Sequence, residues 1–342
     1  MQSFFTQRTP EISQTIRSSQ HFLLPASIVE WARMSGGTVT GRDNLARRAV
    51  VTEYTQSHLA RVGGTTVRRA LPRAGRRSIG AWCFADHLGP LAADRQRGLG
   101  VGPHPHMGLA TATWLFQGTS LHRDNLHSVQ RLQPGELNLM HSGNGVAHAE
   151  EGTGDYEGPI EGLQLWTALP ESTRHGAASF AHHADLPTER SDDLYLTLVL
   201  GEFEGMTSPG RCDSPLLCVE ISGSGFVEFP LDREFEYGII VLEGAAMVES
   251  DRIVPGHLAY LGEANGRLAL SLEPASRVML LGGEPFHERI LMWWNFVGRT
   301  SDEFEDAYRS WINEDGRFGV VDSSLDRILG DPPTGFPTPR GH

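Results

Sequence analysis

The sequence contains no lysine: all 29 basic side chains among its 342 residues are arginine. Chemistry that needs an ε-amine is thereby excluded, including Schiff-base catalysis, pyridoxal-phosphate enzymes and the phosphate-binding lysine of P-loop NTPases. Cysteine is scarce. Cys83, Cys212 and Cys218 form no CxxC pair, which removes a cysteine-rich zinc module or a disulfide scaffold and points to a reducing compartment. Long apolar runs are also missing. Phe22-Leu23-Leu24-Pro25 is too short to span a bilayer, and no run of about 18 apolar residues follows. Residues 1–20 have neither an apolar core segment nor a small-residue cleavage site, so no secretory signal is read there. A soluble, cytoplasmic chain with no membrane partner is expected.

The charge that is present is uneven. Residues 1–80 carry 12 Arg against 4 acidic side chains, whereas 81–342 carry 17 against 38, for a net charge of −13. The acidic body is a poor platform for a phosphate backbone, and no direct nucleic-acid partner is expected. Arg47-Arg48, Arg68-Arg69 and Arg76-Arg77 are isolated pairs rather than a sustained basic arm. Residues 1–55 are read as a poorly ordered N-terminal extension.

From about residue 60, short apolar runs alternate with turn residues: Ile79–Phe84, Thr111–Phe116, Gly162–Thr167, Leu194–Leu200, Ile239–Leu242 and Val278–Leu281. Strands recurring at this spacing indicate an all-β sandwich or barrel. The clearest helix is Thr300–Asn313. It opens on the capping-box pattern Thr300-x-x-Glu303 and places Phe304, Ala307, Tyr308, Trp311 and Ile312 at helical spacing. Residues 170–193 lack periodicity and read as a linker. The two halves also repeat. Trp114–Gly118 followed by Leu132–Leu137 matches Ile240–Gly244 followed by Ile253–Leu258, in the same order. The organisation read from these signals is a first barrel over 56–185, a second barrel with the helix over 186–325, and a tail over 326–342.

The chemistry lies in two short stretches. In Gly102-Pro103-His104-Pro105-His106 both imidazoles of an extended segment face one side, because strand side chains alternate with period two. Pro105 stiffens that segment and suits an edge or a barrel mouth. In Gly145-Val146-Ala147-His148-Ala149-Glu150, His148 and Glu150 share a face for the same reason. Together His104, His106, His148 and Glu150 offer three neutral imidazoles and a carboxylate, a set suited to one divalent Fe, Mn, Cu, Ni or Zn ion. Counted from the turns of the repeat, the second half places Pro230, Asp232, Ala269 and Ser271 where these four stand, so its barrel is expected to hold no metal. His122 and His127, five apart after the Gly118 turn, read as exposed loop residues, with a place at the pocket mouth as the alternative; His141 reads as a neighbour orienting a metal ligand, and His182-His183 as linker. Cys83 reads as core, and Cys212 and Cys218 as inert.

Gly98-x₅-His104-x-His106 running on to Gly118 resembles the first cupin motif, and Gly135 through His148 a loosened second one. The usual cupin glutamate is absent at Ala110 and Thr111, and Glu150 stands in its place. That departure is similar to the pirin family, as are Val67-Arg68-Arg69, Asp86-His87, Gly162–Trp166 and Gly282-Gly283-Glu284-Pro285. The resemblance runs in order from about residue 57 to 320. It implies two tandem double-stranded β-helix barrels, with one metal, iron, in the first. It further implies a quercetin 2,3-dioxygenase-like enzyme that opens a flavonol or related enolic aromatic with O₂, with Glu150 as ligand and general base. The alternative it implies is a non-catalytic, iron-dependent redox-sensing partner of transcription factors or metabolic enzymes. A monomer is expected.

Overall fold

The apolar runs between turn residues fold as strands, and the computed structural model describes them over residues 47–62, 65–263 and 266–333. The first barrel is a sandwich. Its larger sheet has seven strands, in the order Ser179–His183, Leu137–His141, Leu109–Gln117, Gly158–Ala168, Trp82–Ala93, Thr65–Leu71 and His58–Val62. The smaller sheet has four: Val101–His106, Val146–Glu151, Ser120–Asp124 and Val129–Leu132. The second barrel curls around the long strands Leu216–Pro230 and Gly266–Gly283.

Period-two alternation sorts the large sheet's side chains into two environments. Gln164 and Trp166 point into the first barrel's cavity. Leu163 and Leu165 point outward and join a buried layer with Val199, Leu216, Ile240 and Met279 of the second barrel. The indoles of Trp82 and Trp114, fully buried in this layer, cross between the barrels. Trp82 Nε1 donates to the Gly282 carbonyl at 3.0 Å, and Trp114 Nε1 to Glu220 Oε2 at 2.6 Å. Burying an aromatic side chain of this size is worth roughly 4–6 kcal/mol in transfer free energy. The interior of the second barrel is filled by apolar side chains such as Phe203, Phe229, Leu268 and Leu270.

Two boundaries differ from those expected. Part of the stretch read as an extension is ordered: Glu53–Gln56 pairs antiparallel with His257–Glu263, and Arg47–Arg48 runs parallel to the start of Gly266–Gly283. The unpaired N–H and C=O groups along those second-barrel strands are what these residues satisfy. Residues 1–46 lie outside the described residues, as do 334–342 of the tail. At the other end the helix, Ser301–Asn313, packs on the first barrel rather than the second. Its buried Phe304, Ala307 and Trp311 meet Met107 and Ala147 beside the metal-ligand candidates, together with Phe296 and Phe318. Val297 N donates to the Met107 carbonyl, and Ile328 N to that of Pro103, both at 2.9 Å. The chain thus begins, within the described residues, on its second barrel and ends on its first.

The helix termini follow the sequence pattern with one change. Thr300 caps the helix by accepting from Glu303 N. The Glu303 carboxylate accepts from Arg299 N at 3.0 Å and from Arg174 Nη1 at 2.9 Å, so it ties the cap to the first barrel. Of the expected apolar face, Tyr308 is half-buried and Ile312 is exposed. No described helix is long and apolar enough to cross a membrane.

Candidate metal centre

The strands Val101–His106 and Val146–Glu151 are antiparallel neighbours, and their register sets His148 directly opposite His104 and Val146 opposite His106. Because each His-x pair keeps one face, His104, His106 and His148 converge. Their ring centroids lie 4.9, 4.4 and 5.0 Å apart, and one nitrogen from each falls within 4.8 Å of the others. All three are buried. Gly108 ends the motif at φ +71, in the left-handed region, where a Cβ would stand 2.1 Å from the Val297 carbonyl oxygen. Only glycine lets the C-terminal segment approach this closely.

Burial governs the charge of the cluster. It drives the His104 pKa down to about 4, and those of His106 and His148 well below the ordinary imidazole value, with neighbouring histidines adding to the effect. The rings are neutral at pH 7, which is the ligating form. His104 Nδ1 lies 2.9 Å from the Gly102 carbonyl. A carbonyl can only accept, so Nδ1 carries the hydrogen and Nε2 keeps its lone pair. His106 Nε2 and His148 Nε2 stand 3.1 Å apart. Two lone pairs do not face each other at that distance unless a hydrogen or a cation lies between them. The donor set fits a divalent transition metal.

Glu150 lies outside the three-histidine cluster but lines the same cavity. Its register is the reason: between His148 and Glu150 the pairing slips, so that Glu150 stands opposite Val101. Desolvation of this partly buried carboxyl raises its pKa to about 7, against a smaller pull downward from Thr113. The cavity, about 320 Å³, is walled by Phe84, Leu88, Val101 and Trp166 and by Trp294 and Ile328 of the C-terminal segment. Its size is near the lower end of the roughly 300–1,000 Å³ of small-molecule sites. Phe84 and Trp166 stack with centroids 3.8 Å apart and 10° between planes. Arg69, over the Phe84 ring at 4.2 Å, holds Asp86 through two hydrogen bonds of 2.8 and 2.7 Å at the cavity's polar side.

Several residues stand elsewhere than the sequence suggests. His122 is not an exposed loop residue. It is buried on the strand Ser120–Asp124, stacked on Phe180 and within 3.3 Å of His148. The signal was present in Ser120-x-His122-x-Asp124, a period-two pattern after the Gly118 turn. His127 is indeed exposed, in a turn at φ 70. His141 does not orient a metal ligand; it contacts Asp213, across the barrel interface, at 2.9 Å. His182 bonds Asn138 on the neighbouring strand. Cys83 and Cys218 are buried, and burial pushes both thiols up, to about 12 for Cys83, so they are poor nucleophiles at neutral pH, whereas Cys212 is exposed. Among the described residues, His104, His106 and His148 form the one clustered set of His, Cys, Asp or Glu ligands.

Comparison with known proteins agrees with this architecture. The family model for pirin matches residues 64–167, and that for the pirin C-terminal cupin domain matches residues 217–319. A protein of Pseudomonas aeruginosa named "putative quercetin 2,3-dioxygenase" is 45% identical over 273 residues, covering 79% of this chain and 86% of that protein. A pirin-like protein of Caulobacter vibrioides is 35% identical over 258 residues, covering 73% and 89%. Among solved structures, quercetin 2,3-dioxygenase from Acinetobacter baumannii superimposes with a TM-score of 0.78 at 39% identity, over 83% of this chain and 95% of that one.

Proposed function

The chain belongs to the pirin family, and from that premise we propose that it is a metal-dependent oxidoreductase of the quercetin 2,3-dioxygenase type, consuming O₂ to open an enolic aromatic such as a flavonol. The observation that carries this reading is three neutral imidazoles converging on one wall of a largely apolar cavity that also holds a carboxyl titrating near neutrality. The resemblance names iron, and the imidazole-rich donor set also accepts Ni, Cu, Mn or Zn. A metal ion held by His104, His106 and His148 would supply Lewis-acid character and, for a redox-active ion, one-electron chemistry toward O₂.

The chain's own residues do the rest. The stacked pair Phe84 and Trp166 gives a flat apolar surface against which an aromatic ring lies. Glu150, with a pKa of about 7, is matched to accept the proton of an enolic hydroxyl at neutral pH and to return it later. Trp294 and Ile328 close the cavity from the C-terminal side and limit water access.

The test is metal analysis of the purified chain joined to O₂ uptake on a flavonol and catechol panel. We expect about one metal per chain and flavonol-dependent uptake that His148→Ala abolishes. A chain fully loaded with metal that consumes no O₂ on any member of the panel overturns the enzymatic reading. That result would favour a metal-dependent partner protein, a role for which the acidic 81–342 surface suits a basic protein rather than nucleic acid.

A further inference from the structure

We propose that Asp124 and His122 are positioning residues that set the tautomer of His148 and so aim its lone pair into the metal cluster. The proposal rests on the metal centre described above and extends it outward by two residues. One chain of hydrogen bonds links the three residues. Asp124 Oδ2 lies 3.1 Å from His122 Nε2. A carboxylate only accepts, so His122 carries its hydrogen on Nε2 and presents a lone pair at Nδ1. That lone pair faces His148 Nδ1 at 3.3 Å. His148 therefore donates from Nδ1, and its Nε2 is left as an acceptor turned toward His106 and His104. Ligating histidines commonly need such a partner on their second nitrogen, and its loss costs 10–100-fold in metal affinity.

The relay is rigid at each link. Phe180 stacks on the His122 ring at 4.2 Å with 13° between planes. Asp124 Oδ1 accepts from Leu126 N and Ser128 N, both at 2.9 Å, so the carboxylate cannot rotate without breaking the turn. Asn125 bonds the Ala147 backbone in both directions, N to O at 3.0 Å and Oδ1 from N at 2.8 Å, next to His148.

That fixed carboxylate makes Asp124→Asn a reversal rather than a deletion. The two backbone donors keep the amide oxygen at the Oδ1 position, so the NH₂ takes the Oδ2 position and donates to His122 Nε2. His122 must then carry its hydrogen on Nδ1, pointing at His148 Nδ1. His148 becomes the Nε2–H tautomer, with no lone pair for the metal. Shape and turn are unchanged.

The experiment uses the full chain with imidazole ¹⁵N labelling and Co(II) as the probe. In the metal-free wild type, the ¹⁵N shifts of His148 should report the Nδ1–H tautomer, and in Asp124→Asn the Nε2–H tautomer. Calorimetric titration should show Co(II) binding 10–100-fold weaker in Asp124→Asn, with the unfolding temperature of the metal-free variant unchanged. His122→Phe, which keeps the stack on Phe180 but removes the acceptor, should lose a similar factor. Wild-type Co(II) affinity in both variants, or an Nε2–H tautomer in the wild type, overturns the relay. A wild-type chain that binds no Co(II) instead overturns the metal centre on which the relay depends.

Discussion

Burial acts on the histidines and on Glu150 in opposite senses, since it disfavours whichever form is charged. For His104 the folded pKa is about 4 against an ordinary 6.5, so the unfolded chain binds more protons below pH 6.5 and stability is lost as the pH falls through that window. The shift corresponds to about 3 kcal/mol for that one buried ring. His106 and His148 act in the same direction. Glu150 works against them: its folded pKa of about 7 makes the folded chain bind more protons between pH 4.5 and 7, so its contribution falls as pH rises. Three groups outweigh one. The unfolding temperature of the metal-free chain should therefore climb from pH 4.5 to 6.5, and a decline over that range would contradict the assignment. A second expectation concerns Glu150 alone. If its carboxylate joins the metal, binding must displace a proton below pH 7, so affinity should drop by up to about tenfold per pH unit there and level off above. Glu150→Gln should flatten that slope, as titrations from pH 5.5 to 8 would reveal. The four ligand candidates were legible because period two forces His-x-His and His-x-Glu onto shared faces. The slip that sets Glu150 apart from the histidines depends on a partner strand distant in sequence and left no local mark, whereas the alternation Ser120-x-His122-x-Asp124 marked a strand face but not the Phe180 ring that covers it.

Among the elements, the C-terminal segment has the least predictable position and the most direct bearing on the site. The amphipathic stripe of Ser301–Asn313 announced a helix and its buried face, but the same stripe would cover either barrel. Its docking is fixed instead by backbone contacts. A Cβ on Gly102, two residues before His104, would stand 2.1 Å from the Asp326 carbonyl oxygen, and Gly102 has no positive φ to confuse the reading. Gly102→Ala should thus cost about 1–3 kcal/mol through overpacking alone. Denaturant unfolding would measure the loss, and limited proteolysis should show faster cleavage near residues 322–330. Thr300→Ala, which removes the helix cap, should cost about 1 kcal/mol in the same assay.

At the scale of the molecule, the repeat in the sequence foretold two barrels, but not that they share a core. Trp82, Trp114, Leu163 and Leu165 are outward residues of the first barrel that are buried only because the second covers them. Nothing in their local sequence distinguishes a strand face turned to a cavity from one turned to a neighbour. The two barrels should accordingly unfold in a single calorimetric transition, and metal binding in the first should raise the unfolding temperature of both. Residues 56–185 expressed alone should give no folded metal site, since that fragment exposes the shared layer and lacks Trp294 and Ile328. Circular dichroism and Co(II) titration of the fragment would decide this, and an independently folded, metal-binding fragment would refute it.

The crossing of the chain's ends also sets a clock. His148 leaves the ribosome 180 residues ahead of Ile328, roughly 10–40 s at ordinary elongation rates. During that interval the ligand strands exist without the wall that closes their cavity. The nascent first barrel cannot finish its metal pocket on its own, so the pocket is completed only after synthesis has passed Ile328. A segment synthesised later is then the one that seals chemistry made earlier, and a chain interrupted before residue 328 cannot carry a closed metal pocket.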